Sequence, residues 1–148
     1  MLSSVLDTLR GWPAVRRGSL SLLLPPGDAA LALVHDAKVA AALRALGYVV
    51  RRASAGPAGL VAADADAVTE ARLVAVALRG PEASGPGLID RIRQEAQRLP
   101  AGGWLLLRTP SRERERVAAA FLHAGLAQVA QDASRRSVLT CGRKRPDL

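Results

Sequence analysis

A doubly wound α/β domain, its sheet mostly parallel and finished by an antiparallel hairpin, is the architecture this sequence predicts. Three features carry that expectation. Apolar runs of strand length alternate with amphipathic runs of helix length, the pattern of a parallel sheet covered on both faces. Two of those runs, RLVAVAL (72–78) and WLLLR (104–108), are nearly unbroken, as strands buried on both faces are. The last two apolar stretches flank a turn near Asp132 to Arg135 and read as an antiparallel hairpin.

The elements follow in order. SSVLDTLRGW has serine caps and sets Val5, Leu6 and Leu9 on one face, a lead helix stopped by Gly11 and Pro13. SLSLLL then reads as a strand that ends at Pro25-Pro26-Gly27. After it the sequence leaves two readings for 29–34. Either Asp28 caps one long helix, or ALALV is a strand and the helix begins near Asp36. Alanine and leucine tip the balance toward the helix. Gly47 ends that helix, and YVVRRAS is the next strand. The stretch AGPAGLVAADADAVTEA reads as a loop with a short helical turn, and RLVAVAL as a strand followed by the breaker-rich loop RGPEASGPG.

LIDRIRQEAQRL places Leu88, Ile89, Ile92, Ala96 and Leu99 on one side and charges on the other, an amphipathic helix. Pro100 to Gly103 turns the chain into WLLLR. Ser111 is the expected N-cap of RERERVAAAFLHAG, which packs through Val117, Ala120, Phe121 and Ala124 and stops at Gly125. The whole is expected to be one domain over 1–148, with 1–17 a lead helix and linker and 143–148 a basic tail. A chain of 148 residues is long enough for one core.

Composition narrows the function classes. Aromatics are 3% against 49% hydrophobic residues, so the core rests on leucine, valine and alanine. Two histidines and one cysteine, Cys141, speak against a zinc site and exclude an internal disulfide. Cys141 reads as a small buried hydrophobe, and His123 as surface. His35-Asp36 could form an acid/base pair, but an element boundary explains both. Ser84 is not in a nucleophile elbow. No stretch approaches the roughly 20 apolar residues of a membrane span, and the N-terminal charge order is not that of a signal peptide, so a cytoplasmic protein is expected.

The net charge is +8, from nineteen arginines and two lysines against thirteen acids. Such charge favours anionic partners. The arginines lie in scattered pairs, clustering only toward the end, where Arg135, Arg136, Arg143, Lys144 and Arg145 form the expected anion or partner contacts. No aromatic residues interleave with them to stack on bases.

The closing half, RLPAGGWLLLRTP, then RERERVAAAFLHAGLAQVAQ, then RRSVLTCGRK, resembles the class I S-adenosylmethionine-dependent methyltransferases. In that family a helix enters a proline-glycine-glycine turn, then a strand, a helix and a terminal antiparallel hairpin. The resemblance implies a Rossmann-like sheet, and it implies cofactor contacts in the first half. There the family's first strand ends in an acid and a glycine-rich loop, whereas LLLPPGDAAL holds only Gly27. The family's second strand ends in a carboxylate for the ribose, whereas VVRRASAG offers arginines. After the fourth strand, RGPEASG carries no asparagine-proline-proline motif. The expectation is therefore a degenerate, non-catalytic domain without cofactor, serving as a protein-interaction or regulatory module. The alternative is an active methyltransferase in which Gly27, Asp28 and Glu82 contact S-adenosylmethionine. A third reading is a nucleic-acid-binding module using the basic terminal strand and tail.

The stretch from Ala30 to Gln94 also resembles a response-regulator receiver domain. That resemblance would set Leu78 or Arg79 at the phosphoacceptor position, Asp36 among the upstream acids and Thr109 as the switch hydroxyl. Gln128 or Gln131 would stand near the expected lysine. It implies a pseudo-receiver without phosphotransfer and leaves RRSVLTCGRK without a place.

Overall fold

The structure is a computed structural model describing residues 15–27, 30–56, 59–62, 71–78, 83 and 85–145. Its centre is a sheet of eight strands. In chain order these are β1 (Arg16–Arg17), β2 (Leu31–Val34), β3 (Val49–Gly56), β4 (Gly59–Ala62), β5 (Leu73–Ala77), β6 (Trp104–Pro110), β7 (Leu126–Ala133) and β8 (Ser137–Lys144). They lie in the order β1-β7-β8-β6-β5-β2-β3-β4. β4 and β8 run antiparallel to their neighbours and every other pairing is parallel. Among the described residues the helices are α1 (Leu20–Leu23), α2 (Ala37–Ala45), α3 (Gly85–Arg98) and α4 (Arg114–His123).

Alternation along the strands feeds two cores. Leu33, Val74, Val76, Leu105 and Leu107 point to one face, where α3 and α4 cover them with Leu88, Ile92, Val117 and Phe121. Ala32, Val34, Leu73, Ala75 and Leu106 point to the other, under Leu20 and Leu23 of α1 and Val39 and Leu43 of α2. The sheet is thus doubly wound, as the alternating sequence pattern predicts. The antiparallel β8 lies between β6 and β7, which is not the all-parallel order of a receiver. This topology agrees with the methyltransferase resemblance.

Several elements differ from expectation. SLSLLL is not a strand: Leu20 and Leu23 are buried while Leu22 is 74% exposed, the spacing of a helical turn. The Leu20 amide donates to the Asp132 carboxylate at 3.0 Å instead of to a neighbouring strand. The two readings of 29–34 resolve to a strand for Leu31–Val34, paired with β3 on one side and β5 on the other. Two ladders there outweigh the helical preference of alanine and leucine. Asp36, not Asp28, is the N-cap that starts α2.

The loop expected after YVVRRAS is instead a hairpin, with Ala53 opposite Ala62 and Gly56 opposite Gly59. Ser111 does not cap α4. It begins a short 3-10 turn, and its hydroxyl donates to the Arg135 carbonyl at 3.2 Å. In α3, Ile89 is 39% exposed, whereas Arg91 and Glu95 are buried at 6% and 2%. Those two form an i,i+4 ion pair at 3.2 Å. The expected linker ends in β1, and Arg143 and Lys144 belong to β8 rather than to a tail. The lead helix and the helical turn after 62 lie outside the described residues.

Candidate functional site

Open α/β sheets bind ligands beyond the carboxyl ends of their parallel strands, where the chain switches from one face to the other. Here α2 follows β2 on one face and α3 follows β5 on the other, so the switch lies between β2 and β5. His35 and Asp36 leave β2 at this point. Arg108 stands two strands away, opposite Ala77 of β5. The small Ala77 lets the guanidinium pass over β5 to Asp36, with Nη1 donating to Oδ2 at 2.5 Å. The other carboxylate oxygen, Oδ1, accepts the Lys38 amide at 2.9 Å and so caps α2.

Burial alone would push the Asp36 carboxyl upward. The hydrogen bond from Arg108, the backbone amides of Lys38 and Val39 and the guanidinium charge together hold it below its ordinary value of 3.8. Asp36 is therefore an ionised, doubly anchored group. The buried Nδ1 of His35, next in the chain to Asp36, and the buried Oγ1 of Thr109, next to Arg108, have no hydrogen-bond partner among the described residues. Thr109 follows Leu107 on the α3 and α4 face of the sheet.

Of the residues singled out for cofactor contact, Gly27 is the one described. Gly27 lies before β2, at the amino edge of the sheet. Its amide donates to the Leu46 carbonyl at 2.8 Å, and a Cβ there would come within 2.5 Å of the Tyr48 nitrogen. Glycine at 27 is thus explained by close backbone packing against the start of β3. The strand that precedes it in the family pattern is α1 here, so the loop after the first core strand is His35 and Asp36, which contains no glycine. Asp28, Glu82 and Arg79 lie outside the described residues, and Leu78 is buried.

The five cationic residues near the end of the chain divide between two ends of the sheet. Arg135 and Arg136 form the β7–β8 turn at the carboxyl edge. Arg143 and Lys144 lie seven residues on, about 23 Å away for an extended strand. There Lys144 Nζ donates to the carbonyls of Gln97 and Leu99 at 3.2 and 2.9 Å, and Arg143 Nε to that of Gly102 at 3.3 Å. Arg145 is exposed beside them.

At the β1 edge, Arg17, Gly18, Arg114, Gln131, Asp132 and Ala133 line a half-open cleft of about 290 Å³. Gln131 holds its floor, donating to the Arg114 carbonyl at 2.8 Å and to Thr140 Oγ1 at 3.1 Å. Sequence reasoning missed this cleft and the Asp36–Arg108 pair. The pair had one signal, a lone charge at the end of the apolar run WLLLR. The cleft had none, because β1 is two residues long.

No family model and no curated protein matches the chain. Solved structures do. An O-methyltransferase family protein from Burkholderia thailandensis aligns with a TM-score of 0.53 at 14% identity, over 97% of this chain and 55% of its own. A possible exported protein from Bordetella parapertussis aligns with a TM-score of 0.50 at 13% identity, over 85% of this chain and 64% of its own. The chain thus spans less than two thirds of the length of each. The fold, with its inserted antiparallel β8, is that of a class I methyltransferase-like domain.

Proposed function

We propose that this domain keeps a methyltransferase scaffold without transferring methyl groups and works as a regulatory binding module, contacting its partner at the carboxyl edge. The observation that carries this reading is the segment after β2. A cofactor loop needs glycines so that the backbone can approach the ligand. In their place His35 and Asp36 lead directly into α2, and Asp36 is bound to Arg108 and to the Lys38 amide. At β3 the exposed Arg51 and Arg52 stand where a ribose would need a carboxylate. These described residues do not fit S-adenosylmethionine as the family holds it. A cytoplasmic setting belongs to the same proposal and is supported by a buried, unpaired cysteine.

One observation favours the active alternative: with β2 as the first core strand, Asp36 supplies the acid that the family has there. Titration calorimetry with S-adenosylmethionine and S-adenosylhomocysteine at low salt decides between them. No binding up to millimolar ligand, with a folded sample, is the expected result. Micromolar binding would overturn the non-catalytic reading.

A further inference from the structure

Arg17 on β1, Arg112, Arg114 and Arg116 at the start of α4, and Arg135 and Arg136 in the β7–β8 turn come together at one rim of the sheet. The turn is docked there by two hydrogen bonds, from the Ser111 amide to the Arg136 carbonyl and from the Ser111 hydroxyl to that of Arg135. From this juxtaposition we infer that the rim binds the phosphate backbone of double-stranded nucleic acid. The inference builds on the reading of the domain as a binding module and names the module's partner.

The six arginines outnumber the acids of the rim, Glu113, Glu115 and Asp132, by three, and Glu115 is exposed in the first turn of α4. Glu113 is buried and already held by Arg116 and Arg112, at 3.4 and 4.0 Å. Asp132 accepts the Leu20 amide through one oxygen and keeps its charge, so it offsets one arginine of the rim. Arg17, Arg114, Arg135 and Arg136 make no ion pair with any described residue, so four guanidinium groups remain for an external anion.

Density of charge selects the partner. β1, β7 and β8 are neighbours, so the rim is about 10 Å wide at about 4.8 Å per strand. A nucleic acid duplex offers about six phosphates over that length, at one charge per about 1.7 Å. An acidic polypeptide would have to crowd carboxylates to match this. Guanidinium groups also fit phosphate oxygens with two parallel hydrogen bonds.

Recognition is of backbone and not of bases. Tyr48 and Phe121 are buried, and Trp104 lies at the opposite end of β6, so no described aromatic side chain is at the rim to stack. The surface also differs from the tail: Arg143 and Lys144 are at the far end of the strand and already donate to carbonyls.

The test is fluorescence anisotropy of a labelled random-sequence duplex of about 20 base pairs, titrated between about 50 and about 200 mM salt. Four phosphate contacts give a log–log salt slope of about −3.6, an affinity loss of about 150-fold over that range. The double variants Arg17→Ala/Arg114→Ala and Arg135→Ala/Arg136→Ala are each expected to halve the slope, to an about 12-fold loss. The charge-matched control Arg98→Ala/Arg145→Ala, at the amino edge, should keep the full slope. Circular dichroism establishes that each variant is folded.

Absence of duplex binding at the lowest salt overturns the inference, as does a control that falls with the rim variants. Equal competition by polyglutamate reassigns the rim to acidic proteins and also overturns it. Preferential binding to phosphatidylserine vesicles does the same in favour of a membrane surface. The calorimetry is independent of all these. No duplex binding with no cofactor binding removes the partner and leaves the module, whereas duplex binding with cofactor binding does the reverse.

Discussion

A methyl group on Gly27 would lie 2.5 Å from the Tyr48 nitrogen and 2.7 Å from the Gly47 carbonyl carbon. Both neighbours are backbone, fixed by the hydrogen bond from the Tyr48 amide to Leu43 and by the start of β3. Gly27→Ala is therefore expected to destabilise the fold by about 1–3 kcal/mol, as overpacking does, read as a shift of the urea midpoint. A cofactor-loop glycine would give the opposite pattern, altered ligand binding at unchanged stability. Asp36 makes a second prediction. Its folded pKa lies below 3.8, so the stability it contributes is present above that value and lost as pH falls through the folded pKa. Asp36→Ala should cost about 1–2 kcal/mol at neutral pH from the lost cap alone. In urea melts from pH 6 to pH 3 (round numbers spanning about 3.8), the gap to the parent protein should narrow at the acid end.

Strand β8 joins elements that the sequence keeps apart. Its last residue, Lys144, reaches the final carbonyls of α3 and sits favourably at the negative end of that helix. Lys144→Met is expected to lower stability by about 0.3–1 kcal/mol while leaving duplex binding unchanged, and paired urea and anisotropy titrations check both halves. Gly142 of the same strand faces a bulge in β7, where Gln128 has φ 53° and the register slips between Ala127 and Ala130. Phe121 fills the space over it, leaving 2.8 Å to an added Cβ. The closing hairpin was legible from its alternation, but this bulge was not. A register shift depends on what packs above it, here Phe121 and Leu126. In α3 the helix and most of its buried face, Leu88, Ile92, Ala96 and Leu99, were legible, but the burial of Arg91 and Glu95 was not, because it depends on their ion pair.

At the scale of the molecule, the order of strands and helices from Val49 onward was largely readable, since each buried strand is an apolar run bounded by breakers. The first half was harder. SLSLLL and ALALV have similar composition, and which becomes the sheet's strand depends on the two ladders that only the folded sheet supplies. The end of the first core strand correspondingly holds His35, Asp36 and, reaching over from β6, Arg108, none of which the spacing singled out for cofactor contact. Charge was read correctly as a total and incompletely as a distribution: one sequence cluster separates to opposite ends of β8, and one rim gathers arginines from three distant segments.

The place of β8 between β6 and β7 also bears on how the protein is made. β6 and β7 precede in the chain the strand they share, so each lacks its neighbour on that side until residues 137–144 are made. Until then two nascent strands hold open edges, the condition under which chains pair with the wrong partner. The sheet can close on that side only by inserting β8, the later strand, between two earlier ones, so β6 and β7 become part of one sheet in a single late step.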